Sequence, residues 1–319
     1  MTRVIVVLLL FAFLPHAAPE AAERVFRVAS LARTEDSLQI TRHMLQELAS
    51  LGFREGENLI VDEGAGDASE LAELVRTMLD RRPDAIVAVG GEAIRAARQV
   101  TSTVPIVIFG GPNPVDMGYA VNLARPGGNV TGVVILGSEL DGKRVDLLHE
   151  AVPAMRRIAG LFVPFTPGSQ PAQNEMRSAA AKIGLEFMPF EVAGPDEYPG
   201  AFAGMRAAKV QGVAFMASPI LYRDGAQLAA LALQSGIPSV CEWAEMAQVG
   251  CLLGYGPDRA ELRRRLAHHL AEILRGAAPG GLPIEQPTRY ELAVNLKTAK
   301  ALGLTVPQAL LARADEVIE

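Results

Sequence analysis

Residues 84–118 leave the chain few folds to choose from. Two apolar runs, Ala85 to Val89 and Pro105 to Phe109, are too short for a typical helix, and each stops at a glycine pair, Gly90-Gly91 and Gly110-Gly111. They predict buried parallel strands. Between them, Glu92 to Val100 sets Ala93, Ile94, Ala97 and Val100 on one side and Arg95, Arg98 and Gln99 on the other, which predicts a crossover helix. In open α/β sheets ligands sit outside the carboxyl ends of the strands, and glycine there lets the backbone turn sharply and lets another molecule approach. Either pair alone reads more simply as a tight turn. Two pairs at equivalent strand ends point to a ligand cleft.

The alternation extends in both directions. Upstream, the pattern predicts a strand at 25–31, a helix at 35–51 stopped by Gly52, a short strand at 58–62 and a helix opening at Asp67 and ending before Pro83. Residues 122–132 read as a Gly and Pro loop, 133–136 as a strand and 140–152 as a helix. A second block of strands (157–165, 185–190, 210–216, 237–241) and helices (170–183, 196–208, 224–234) follows, then a strand at 249–253, a long helix at 257–275, a last strand near 292–294 and helices near 297–302 and 307–317. Two such blocks predict an α/β fold of two doubly wound parallel-sheet lobes joined by a hinge. The expected division is 24–135 plus 250–287 for the N-terminal lobe and 136–249 plus 288–319 for the C-terminal lobe.

With half its residues hydrophobic and a net charge of −6, the chain has a core to bury and no basic surface for nucleic acid, so nucleic acid is not an expected partner. Residues 1–22 carry a positive start at Arg3, an apolar run from Val4 to Leu14 and a small-residue stretch from Pro15 to Ala22. That is the plan of a cleaved signal peptide, because the run is far shorter than the roughly 20 residues that span a bilayer. Export to the periplasm follows. Cys241 and Cys251 lie ten apart, and in an oxidising compartment they either pair or remain as buried thiols. They make no zinc site.

Catalytic signatures are missing. His43, His149, His268 and His269 fall on predicted helix bodies, and no G-x-S-x-G elbow, metal-spaced His pair, P-loop or G-x-G-x-x-G continuation occurs. No cofactor, metal or enzymatic activity is expected.

Longer motifs carry a resemblance. Residues 122–132 (Asn-Leu-Ala-Arg-Pro-Gly-Gly-Asn-Val-Thr-Gly), 255–258 (Tyr-Gly-Pro-Asp), 295–304 (Asn-Leu-Lys-Thr-Ala-Lys-Ala-Leu-Gly-Leu) and 311–318 (Leu-Ala-Arg-Ala-Asp-Glu-Val-Ile) resemble the tryptophan/tyrosine-type substrate-binding proteins of bacterial ABC transporters, over about Arg24 to Glu319. The resemblance implies a type I periplasmic-binding-protein fold with three crossings between lobes, a small and often aromatic amino acid as solute, and a membrane permease with its cytoplasmic ATPase as partners of a monomeric receptor. The shared motifs themselves read as structural, so binding residues are sought at strand ends. These are Ala32, Arg33, Gly91, Glu92, Gly111 and Asn113 in the first lobe and Phe165, Thr166, Ser218, Glu242, Trp243 and Tyr255 in the second. Where the family usually has Asp-Pro-Val, this chain has Asn113-Pro114-Val115, one negative anchor fewer.

An α-amino acid needs a carboxylate for its ammonium and N–H or hydroxyl donors for its carboxylate. Glu92 or Glu242 suits the first role; Thr166, Ser218 and the amides near Gly91 suit the second; Trp243, Tyr255 and Phe165 suit an aromatic side chain. Each also has a plain structural reading: Glu92 as a helix N-terminal acid, Trp243 as core, Ser218 as a turn. A solute receptor for uptake, a ligand sensor for a signalling partner and an enzyme on the same architecture are the competing functions.

Overall fold

A computed structural model describes residues 24–135, 137–164, 166 and 168–319. The expected leader at 1–22 lies outside the described residues, as do Leu136 and Phe165 at two expected strand ends. In chain order the elements are β1 (Phe26–Ala32), α1 (Glu35–Ser50), β2 (Leu59–Ala65), α2 (Leu71–Leu79), β3 (Ala85–Val89), α3 (Gly91–Val100), β4 (Ile106–Phe109) and β5 (Val130–Val133). Then come α4 (Gly137–Ala151), β6 (Arg157–Phe162), α5 (Ser169–Lys182), β7 (Glu186–Glu191), α6 (Tyr198–Ala207), β8 (Gly212–Phe215), α7 (Pro219–Arg223), α8 (Gly225–Gln234), β9 (Ser239–Cys241) and β10 (Leu253–Pro257). The chain ends with α9 (Arg259–Leu274), β11 (Ile284–Glu285), β12 (Tyr290–Asn295), α10 (Leu296–Ala301), α11 (Gln308–Leu311) and β13 (Glu316–Ile318).

These form two sheets, ordered β11-β5-β4-β3-β1-β2 and β13-β12-β10-β9-β8-β6-β7. All pairs in the first are parallel; in the second, β12 runs antiparallel to β10. In β3 the side chains alternate between two layers. Val87 and Val89 pack with α1 and α9, whereas Ile86 and Ala88 pack with α2 and α3. Both faces of the strand are buried, which is why the run is apolar throughout rather than alternating with polar residues. Each such valine or isoleucine contributes roughly 1.5–3 kcal/mol by leaving water.

The chain crosses between lobes after β5, after β10 and after β11. At the second crossing Asp258 caps α9, accepting from the Ala260 and Glu261 amides, and its own N–H donates to the Arg289 carbonyl of the third crossing. The second and third crossings are therefore tied to one another.

The structure corrects four expectations. Residues 250–257 belong to the second sheet rather than the first lobe, because β10 pairs with β9 and β12; only α9 and β11 return to the first lobe, where α9 packs on α1, β3, β4 and β5. The strand placed at 249–253 is Leu253–Pro257: Gly254 and Gly256 lie within the strand, where a Cβ would collide with the Trp243 and Glu242 carbonyls. The strand placed at 133–136 begins at Val130, since Gly132 (φ 124°) lies flat against Ile108 with no room for a side chain. Near the C-terminus the helix expected over 307–317 stops at Leu311, and Glu316–Ile318 pairs with β12 instead.

Candidate functional site

The strand ends of the two sheets converge on a cavity of about 380 Å³ between the lobes. From the first lobe it is lined by Asp36 and Ser37 at the start of α1, by both glycine pairs, and by Glu92 and Arg95 of α3. Gly90, Gly110 and Gly111 take positive φ (85°, 74° and 81°), a conformation that L side chains rarely adopt. A Cβ on Gly111 would also press on Ile94, with the Gly91 Cα only 3.4 Å away, so the two glycine loops pack directly on one another. Gly90 caps α3 without a side chain, which leaves the first amides of this helix as donors at the cavity wall.

The second lobe contributes Met216, Ala217, Ser218, Tyr222, Glu242 and Trp243 to the lining. Ser218 caps α7, accepting from the Ile220 amide at 3.3 Å, so its structural and lining roles coexist. The lobes meet at the rim: α1 packs against α7, and a Cβ on Gly90 would lie 3.4 Å from the Pro219 ring.

Asp141 and Arg144, one turn apart on α4, are each 1% exposed and form an ion pair at 2.6 Å. Arg144 also donates to the carbonyls of Tyr255 (2.9 Å) and Glu242 (3.0 Å), so its fork is committed to the protein. Asp141 Oδ2 is buried without a hydrogen-bond partner among the described residues, in a side chain that lines the cavity. Burial pushes Asp141 up to about 6, against the pull of Arg144. Glu242 rises further, to about 8: burial is the main cause, Arg144 pulls it down and Asp141 pushes it up. At neutral pH in an empty cavity Glu242 thus holds its proton.

Arg259, the first residue of α9, also pulls the Glu242 carboxyl down and reaches from the first-lobe side toward the second. It donates to the Tyr222 hydroxyl (2.6 Å) and pairs with Glu245, while its guanidinium lies 4.9 Å from the Tyr222 ring centre and 5.1 Å from that of Trp243. Its Nε is buried without a partner among the described residues. Carboxyl groups, an arginine, free helix amides and aromatic rings around one cavity suit a small molecule that carries both charges. No cluster of His, Cys, Asp and Glu that could hold a metal occurs among the described residues.

Of the residues expected from sequence, Gly91, Glu92, Gly111, Thr166, Ser218, Glu242 and Trp243 line this cavity, and Phe165 is outside the described residues. The remaining ones lie elsewhere, each for a visible reason. Ala32 is fully buried in the core, and Arg33 turns to Asp67 at 3.2 Å. Asn113 accepts from the Val115 amide of its own turn at 3.0 Å. Tyr255 sits within β10 and stacks on Tyr290, ring centres 6.1 Å apart. Asp141, Arg259, Asp36 and Tyr222 escaped the sequence reading. An Asp and an Arg three residues apart on a helix look like a solvated surface pair, and only burial distinguishes them.

Residues 28–318 match the model of the ABC transporter substrate binding protein family. The chain belongs to this family. A curated relative, the tyrosine-binding protein of Clostridioides difficile strain R20291, is 21% identical over 262 residues, 82% of this chain and 75% of that one. Two crystal structures share the fold. A conserved domain protein from Vibrio cholerae O1 biovar El Tor superposes with a TM-score of 0.85 at 24% identity, covering 92% of this chain and 99% of the other. The ABC domain of a Streptococcus pneumoniae protein in complex with L-Trp gives 0.83 at 22% identity, covering 92% and 100%. In this substrate-binding protein the cavity between the lobes is accordingly the candidate solute site.

Proposed function

We propose that this substrate-binding protein captures an amino-acid-like solute in the periplasm and delivers it to a membrane permease driven by a cytoplasmic ATPase. One observation carries the solute class: buried Asp141 and Glu242 share the cavity with Arg259 and the uncapped start of α3. In this reading the carboxyl groups take the solute ammonium. The α3 amides and Arg259 take its carboxylate, with Thr166 and Ser218 near by, and Trp243 and Tyr222 flank a planar apolar side chain. The related proteins named for tyrosine and solved with L-Trp support an aromatic solute. A cavity of about 380 Å³ is of the size that holds a single such molecule. It is complete within one chain, which supports a monomer.

Delivery needs no chemistry, only contacts that exist in the closed state and favour it. The leader at 1–22 supports export. Mass spectrometry of the solute released from gently purified protein tests the assignment; an aromatic amino acid is expected, and a sugar would overturn the class. Conversion of the solute to product would overturn the receptor. Trp243→Ala is expected to weaken L-tryptophan or L-tyrosine binding by about tenfold or more, as loss of a buried aromatic contact does; unchanged affinity by calorimetry would move the side-chain pocket elsewhere.

A further inference from the structure

Cys241 and Cys251 are bonded to each other, with Cα atoms 6.4 Å apart, and both are fully buried. The bond closes the stretch that links β9 to β10, two neighbouring strands that run parallel. Parallel neighbours are normally joined by a dozen or more residues, usually a helix that packs on the sheet. Here residues 242–252 do it with a single short turn of 3₁₀ helix over Ala244–Ala247. Met246 and Ala247 of that turn are buried, but the stretch has no longer helix to hold the residues on either side of it against the sheet.

The same stretch is dense in site residues. Glu242 and Trp243 line the cavity immediately after Cys241. Glu245 reaches Arg259 of α9, the helix that packs on the first lobe. The far end has other anchors, since Asn295 donates to the Ala247 carbonyl at 2.7 Å and Thr298 to that of Gly250 at 3.0 Å. At the near end, where the cavity residues stand, the Glu242 and Trp243 backbone lies against Gly256 and Gly254 of β10 and Arg144 holds the Glu242 carbonyl, and the disulfide adds the covalent tie from Cys241 to the far end.

We propose that the Cys241–Cys251 disulfide is a positioning element of the binding site, holding residues 242–250 as one plate that presents Glu242 and Trp243 to the solute and Glu245 to Arg259 across the lobe boundary. Without the bond the plate moves on its Cys241 edge, and the cost falls on preorganisation rather than on the fold. A dithiol reductant reaches this buried bond only when the segment opens locally; it then delivers two electrons and two protons, its own thiols closing to a disulfide, and leaves two thiols and a lower solute affinity. The solute class in this proposal rests on the amino-acid reading above; the positioning role does not.

Trp243 is the only tryptophan in the chain, so its emission reports on the plate with no solute present. Compared with the oxidised protein, C241A/C251A and the protein reduced under native conditions are expected to show red-shifted Trp243 emission and greater acrylamide quenching, with unchanged far-UV circular dichroism. Calorimetry with L-tyrosine should give about a tenfold loss of affinity, the size expected when a preformed site must be ordered on binding. Unaltered emission and quenching in both reduced protein and variant would overturn the proposal, even if melting temperature falls, because a bond that only stabilises the fold would do that alone. Altered emission with unaltered L-tyrosine affinity would also overturn it. Failure of the oxidised protein to bind L-tyrosine would count against the amino-acid reading, and the fluorescence comparison would still decide the positioning role.

Discussion

Glu242→Gln separates the charge of this cavity from its shape. In the folded protein burial holds the Glu242 carboxyl at about 8, against an ordinary value of 4.5. Between these two pH values the folded chain keeps a proton that the unfolded chain has released. Stability is therefore full below about 4.5 and falls as pH rises toward 8. The slope is about 1.4 kcal/mol per pH unit, so the window as a whole is worth about 4–5 kcal/mol. Asp141 has the same sign, between its ordinary 3.8 and about 6, and the two lean on one arginine, Arg144. The amide variant keeps the volume and stays neutral at every pH. Urea denaturation of solute-free protein from pH 4.5 to 8.5 should give similar stabilities at the acid end. The wild type should then decline steadily to pH 8, whereas the variant should level off near pH 6, once Asp141 has ionised. Near pH 8 the variant should be the more stable by a few kcal/mol. Parallel curves for the two proteins would refute the reasoning, since they would mean that Glu242 ionises as freely when folded as when unfolded.

Because the empty site holds a proton that an ammonium would displace, affinity for L-tryptophan should rise with pH, by up to about tenfold per unit below 8, and level off above it; calorimetry in two buffers of different ionisation enthalpy should register the released proton. Arg144→Met should lower stability by about 3–5 kcal/mol near neutral pH, because buried Asp141 must then take up a proton that the unfolded chain does not hold and the Tyr255 and Glu242 carbonyls lose their donor, and adding Asp141→Asn in the same chain should restore part of that loss in the same denaturation assay. Gly132→Ala should cost about 2 kcal/mol or more, or prevent soluble expression, since the Cβ would meet the Ile108 carbonyl at a backbone angle alanine rarely adopts; wild-type stability would refute the β4–β5 register.

Much of the architecture was legible because it rests on local rules. An apolar run that ends in two glycines, followed by a helix with one apolar face, specifies strand, turn and crossover helix wherever it occurs. The cavity's first-lobe wall followed from that pattern, as did Glu242 and Trp243, which immediately follow a strand. Boundaries failed where strands carry glycine: Gly132 reads as part of a loop, yet it, Gly254 and Gly256 lie inside strands where neighbouring backbone passes too close for a Cβ. No property of the local sequence reports such an approach.

The sequence by itself determined that two parallel sheets would form and that their strand ends would line the candidate site, because side-chain periodicity and glycine placement act over a few residues. Tertiary structure alone decided which lobe β10 joins, that Cys241 meets Cys251, and that Asp141 and Arg144 turn inward. Those outcomes depend on contacts between segments far apart in the chain, and on the loss of water that turns an ordinary helix pair into a buried one.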